Sequence, residues 1–80
     1  MQVRNIIGMN NDEAKKIVDA LVSRLKEIRV EKGMSHEKLA NKANIHRSAI
    51  SLIETRQREP KLITCIKIAN ALEINLKDLL

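Results

Sequence analysis

The sequence has no Phe, Tyr or Trp, a single Cys, a single Pro and two Gly among its 80 residues. Without aromatic rings the core must be built from Leu, Ile, Val and Ala. The stacking platforms that grip single-stranded nucleic acid are missing as well. One cysteine, Cys65, excludes an internal disulfide and a cysteine-based zinc site, which fits a reducing compartment. Gly8, Gly33 and Pro60 are too few breakers for a hairpin-rich fold. No stretch approaches the roughly 18 uncharged apolar residues of a membrane span. The opening "MQVRNIIGMNN" lacks an apolar run long enough for a secretory signal, so a soluble cytoplasmic protein is expected. There is no Gly-rich phosphate loop and no GK[ST] step. His36 and His46 have no carboxylate or thiol at ligand spacing between them, so neither catalysis nor a metal or other cofactor is expected.

What is present is a basic balance, 15 Lys+Arg against 10 Asp+Glu, giving +5 and a pI near 9.7. That suits a phosphate-bearing partner. Apart from strand-like alternation in "QVRNII", the periodicity is helical throughout. The first helix is expected from Asn11 or Asp12 to about Lys32, with Asp12 and Glu13 in its first turn and Gly33 as its stop. Ala14, Val18, Leu21, Leu25 and Ile28 form one apolar stripe along it. Ser35 is the expected N-cap of a second helix carrying Leu39, Ala40 and Ala43. A third helix is predicted over 47–54, burying Ile50 and Ile53, and a fourth over about 62–72. Asn75 and Asp78 are spaced like a capping box at a last short turn. Five helices with short connections make an all-α bundle, with residues 1–11 as an N-terminal arm and 12–80 as the domain.

The second helix, a tight break and the third helix follow the helix-turn-helix plan. Here "LKEIRVEKGMSHEKLANKANIHRSAISLIE", the Pro60-Lys61-Leu62 step and "IKIANALEINLKDLL" resemble the repressor/Cro-type helix-turn-helix family of bacteria and phages. The resemblance runs from about Leu25 to Leu79. It implies a five-helix repressor-like DNA-binding domain, here with an extended first helix. It also implies that Arg29 and Glu54 form a partly buried ion pair that fixes the recognition helix to the scaffold. The family's usual Gly in the turn is Asn44 here, the next most tolerant residue at positive φ. Its usual Gln at the start of helix two is His36, its usual small N-cap of helix three is His46, and its usual Gly after helix three is Arg56. The loop's backbone is therefore expected to depart from the family pattern at Arg56. Helix four matches the family's core positions at Leu62, Cys65, Ile68, Ala69 and Leu72, with Cys65 as a buried space-filling thiol.

With Ile50 and Ile53 turned inward, Arg47, Ser48, Ser51 and Leu52 face outward on helix three. The side chains there are short apart from Arg47, and no carboxylate precedes Glu54. Arg47 is the residue suited to guanine, through paired bonds to O6 and N7. Ser48 and Ser51 can bond bases or phosphates, and Leu52 either meets a thymine methyl or packs loosely. His36, His46, Arg56, Arg58 and Lys61 are the candidate phosphate contacts. Ile63 and Ile66 are left facing away from the core, as are Leu79 and Leu80. They suggest a homodimer interface, with intramolecular packing of the leucines against the first helix as the alternative. The expected function is that of a double-stranded DNA-binding regulator, most simply a repressor dimer on a palindromic operator. The competing reading is an antitoxin or anti-repressor whose Ala14-Ile17-Val18 extension clasps a protein partner and whose DNA binding is secondary.

Overall fold

The computed structural model describes residues 9–80, and among these the chain forms four α-helices and one short 3-10 turn, with no strand. The proposed arm, with Val3, Ile6 and Ile7, lies outside the described residues. Helix α1 spans Asn11–Glu31, α2 His36–Ala43, α3 Arg47–Glu54 and α4 Leu62–Ala71, followed by the 3-10 turn Leu76–Leu79. Side chains cap the first two: Asn10 accepts from the Glu13 N–H at 2.8 Å, and Ser35 accepts from the Lys38 N–H at 3.0 Å.

Each helix then ends in the same way, on a residue in the left-handed region. These are Gly33 (φ 66), Asn44 (φ 57), Arg56 (φ 65) and Glu73 (φ 63). After α1 the Met34 N–H reaches Arg29 O at 3.0 Å and the Gly33 N–H reaches Val30 O at 2.9 Å, satisfying carbonyls that the helix leaves open. After α4 the Ile74 N–H reaches Ala69 O at 3.0 Å and the Glu73 N–H reaches Asn70 O at 3.0 Å. An apolar residue follows three of these turns and seals it: Met34 is buried, and Ile45 and Ile74 pack against the core. Asn44 is thus left-handed as its residue type suggests. Arg56 is left-handed too, so the loop keeps the conformation that glycine favours instead of departing from it.

The core is one aliphatic cluster that joins Leu25 and Ile28 of α1, Leu39, Ala40 and Ala43 of α2, Ile50 of α3, and Cys65, Ile68, Ala69 and Leu72 of α4 or its end. Leu39, Ile50 and Leu72 are its largest fully enclosed members. Helix α2 packs against both α3 and α4, α1 lies against α3, and the 3-10 turn closes on α4. Burial pushes the Cys65 thiol up from its ordinary value, which keeps it protonated and inert.

Four expectations need correction. The apolar stripe of α1 is covered only from Val18 onward: Ala14 is exposed, Val18 and Leu21 are partly covered, and Val22 joins Leu25 and Ile28 in the interior. Periodicity marks a face, but it does not say how far a neighbour reaches along a helix of about 31 Å. Leu62 is 66% exposed, because the buried line of α4 begins one turn later at Cys65. The last turn is a 3-10 turn without a capping box; Asn75 holds it through its backbone carbonyl, which accepts from the Asp78 N–H at 3.0 Å. Leu79 is partly buried against the core of its own chain, so only Leu80 of the terminal pair stays open, at 72% exposure.

Candidate nucleic-acid interface

Helices α2 and α3 are joined by Asn44, Ile45 and His46. The left-handed Asn44 reverses the chain, its N–H returning to Ala40 O, and Ile45 plugs the turn from inside. His46 then occupies the N-cap of α3 in extended backbone geometry and makes no side-chain cap bond, which leaves its ring exposed at the start of the helix. On α3, Ile50 and Ile53 are buried at positions i and i+3. The opposite face carries Arg47 and Ser48, both exposed, with Ser51 and Leu52 half-buried beside them. All four candidate base-reading residues therefore share one helix of eight residues. The partial cover of Leu52 means that packing takes up some of its apolar surface.

The far end of α3 is fastened by a three-residue network. Arg29 donates to Glu54 through Nε at 2.8 Å to Oε2 and through Nη2 at 3.0 Å to Oε1. Its third nitrogen, Nη1, donates to Met34 O at 2.7 Å in the turn after α1. His36, at the start of α2, places Nε2 2.9 Å from Glu54 Oε1. One carboxylate thus ties α1, α2 and α3 together. Burial would by itself raise the Glu54 carboxyl. The bonds and charges of Arg29 and His36 outweigh that and hold it below the ordinary glutamate value. The ion pair inferred from the resemblance is present, with side chains only 12% and 9% exposed.

His36 was expected to be a phosphate contact, and its recruitment to Glu54 changes what it can do. A neutral ring that donates from Nε2 to Glu54 keeps Nδ1 as an acceptor, which cannot bond a phosphate oxygen; only the imidazolium could serve both. Sequence reasoning missed this third member because His36 lies 18 residues from Glu54, with no local signal to join them.

Arg56 needs a plainer correction. Its guanidinium turns back onto α1, where Nη2 donates to Asp19 O at 3.0 Å and to Ser23 Oγ, and Nε lies 3.4 Å from Asp19 Oδ1. Nη1 donates to Glu54 O at 3.1 Å, at the end of α3. The group is held by four oxygen atoms of three residues and is withdrawn from the phosphate role. Arg58 and Lys61 remain exposed in the segment after α3, as does His46 at its start. The signal that could have exposed the Arg56 contact is weak: Asp19 and Ser23 are spaced i and i+4 on α1, one acidic and one hydroxylic.

A second surface lies away from α3. Leu62, Ile63 and Ile66 of α4 are exposed by 66%, 60% and 49%, and Leu80 is exposed at the chain end. Ile66 and Leu80 line an open groove with Ile74 and Leu76 between α4 and the 3-10 turn. Among the described residues, no helix is long and apolar enough to cross a membrane.

The helix-turn-helix family model matches residues 25–79. No curated protein matches the sequence. Among solved structures, the crystal structure of the restriction-modification controller protein C.AhdI from Aeromonas hydrophila is similar, at 35% identity and a TM-score of 0.72. The match covers 82% of this chain and 98% of that one. With the turn, the outward face of α3 and the Glu54 anchor in place, the chain belongs to the repressor/Cro-type helix-turn-helix family of DNA-binding transcriptional regulators.

Proposed function

We infer that the protein is a sequence-specific binder of double-stranded DNA that represses transcription in the cytoplasm as a homodimer on a palindromic operator. The observation that carries this reading is the outward face of α3, with Arg47 and Ser48 exposed, while its far end is locked through Glu54 to two other helices. A reading helix is useful only if its approach to the groove is fixed, and the Glu54 network supplies that rigidity. In this reading Arg47, Ser48, Ser51 and Leu52 meet base edges, and His46, Arg58 and Lys61 meet phosphates. His36 joins the phosphate set only in its charged form.

Ile63, Ile66 and Leu80 form the two-fold interface, extended by Leu62. They place four exposed apolar side chains on or beside α4, which a small monomer would leave in water. Paired in this way, two α3 helices would address half-sites about one turn of DNA, ~34 Å, apart.

Selection of bound sequences from a random duplex pool tests the proposal. A two-fold symmetric consensus with steep salt dependence is expected; a pool without enriched sequence would end the sequence-specific reading. The same scaffold admits a second sign of action, activation from the same kind of site. Transcription from a promoter carrying the selected sequence separates the two, since a repressor lowers and an activator raises it.

A further inference from the structure

Arg56 sits in a conformation that non-glycine residues avoid, at φ 65, directly after α3. Its backbone closes the end of the helix in the usual left-handed manner, with the Arg56 N–H on Ile53 O at 3.1 Å and the Gln57 N–H on Leu52 O at 2.9 Å. Glycine would serve that backbone at lower strain, so the retained side chain calls for another explanation. The guanidinium supplies one. It donates to Asp19 O and Ser23 Oγ on α1, pairs with the Asp19 carboxylate at 3.4 Å, and places a cation on the Glu54 carbonyl at the negative end of α3.

Beneath this contact the loop lies across α1, where Val18, Val22, Ile53 and Pro60 line a narrow crevice. Asp19 and Ser23 both precede residue 25, where the family match begins. The part of α1 that precedes the family match is therefore tied to the end of the reading helix through the Arg56 side chain. Two residues beyond that side chain stands Arg58, an exposed cation whose own N–H is bonded to Leu52 O at 3.2 Å.

We propose that Arg56 is a positioning residue for DNA binding: anchored on Asp19 and Ser23, it holds the loop after α3 so that Arg58 and Lys61 face the phosphate backbone. The part of α1 that precedes the family match thereby belongs to the DNA grip without touching DNA. This rests on the DNA-binding reading above.

The test uses the full chain with Asp19→Asn, Arg56→Gly and the double variant. Two readouts are needed: affinity for the selected duplex and for an unrelated one, and amide hydrogen exchange of Gln57 and Arg58 in the absence of DNA. Both single variants are expected to weaken binding to both duplexes by about three- to tenfold, with the double variant no weaker than the worse single, as for two residues acting through one contact. Exchange at Gln57 and Arg58 should quicken in each, while that of the enclosed Leu39 stays at the parent rate.

Asp19→Asn gives the decisive sign. If Arg56 gripped phosphate itself, removal of the Asp19 charge that competes for it would leave binding equal or tighter; that result overturns the proposal. Unchanged exchange at Gln57 and Arg58 in both variants overturns it as well. Should the parent chain bind no duplex at all, the DNA reading fails, and the exchange comparison still decides whether Arg56 holds the loop.

Discussion

Arg29 and Glu54 lie 25 residues apart in sequence and meet through two parallel bonds of 2.8 and 3.0 Å. A planar guanidinium and a planar carboxylate in this arrangement resist rotation as well as separation. The pair therefore fixes the orientation of α3, and not merely its distance from α1. Removing one partner leaves the other charge nearly buried. Glu54→Ala is expected to destabilise the fold by about 3–5 kcal/mol, measured by urea denaturation. A loss under about 1 kcal/mol would show that water replaces the pair at little cost.

The same carboxylate makes stability depend on pH. Its folded pKa is lowered relative to the ordinary value of 4.5. Its contribution is therefore fully present above that value and is lost as pH falls through the lower, folded value. Denaturation curves collected from neutral to acid pH should show the parent losing its advantage over Glu54→Gln in that window. Parallel pH profiles for the two proteins would show that Glu54 is not the titrating group.

The helix ends supply a prediction of opposite signs. Gly33 has φ +66 and open space where a Cβ would stand, so Gly33→Ala meets only the backbone penalty of about 1–2 kcal/mol. Glu73 has the same conformation (φ 63), and its one salt bridge among the described residues, to Lys42, spans 3.8 Å with a side chain 75% exposed. Such a contact adds little. Glu73→Gly should stabilise the protein by about 0.5–1 kcal/mol, the strain relieved less the extra chain entropy of glycine. Thermal unfolding of the two variants checks both signs.

Much of this architecture is legible in the sequence, because local chemistry writes it. Ser35 caps, Gly33 stops, Asn44 turns, and Ile50 and Ile53 mark the inward face of α3; each works within a few residues of itself. The family resemblance adds one distant pair, Arg29 with Glu54. Contacts made between elements are not legible in the same way. Nothing near His36 points to Glu54, and nothing near Arg56 points to Asp19 and Ser23. A basic residue close to a reading helix looks like a phosphate contact until the fold shows what faces it. Leu79 illustrates the same limit for apolar residues, since the 3-10 turn carries it onto its own core and leaves Leu80 outside.

The apolar surface of α4 is tested by Ile63→Ser combined with Ile66→Ser. Both side chains are about half exposed or more, so the monomer fold should persist, with a helical circular dichroism spectrum like that of the parent. Sedimentation should shift from dimer to monomer, and affinity for a full two-fold site should fall toward that for a half-site. A variant that sediments like the parent would place the interface elsewhere.

The reading role of α3 meets its most direct test in Arg47→Ala, assayed on the selected duplex and on every single-base variant of it. Loss of a guanidinium that reads a guanine is expected to cost about 1–3 kcal/mol on the preferred site and to relax preference at one base pair of each half-site. Equal weakening on all sequences, with the base preferences intact, would make Arg47 a phosphate contact and contradict the assignment of α3 as the reading helix's base-specific face.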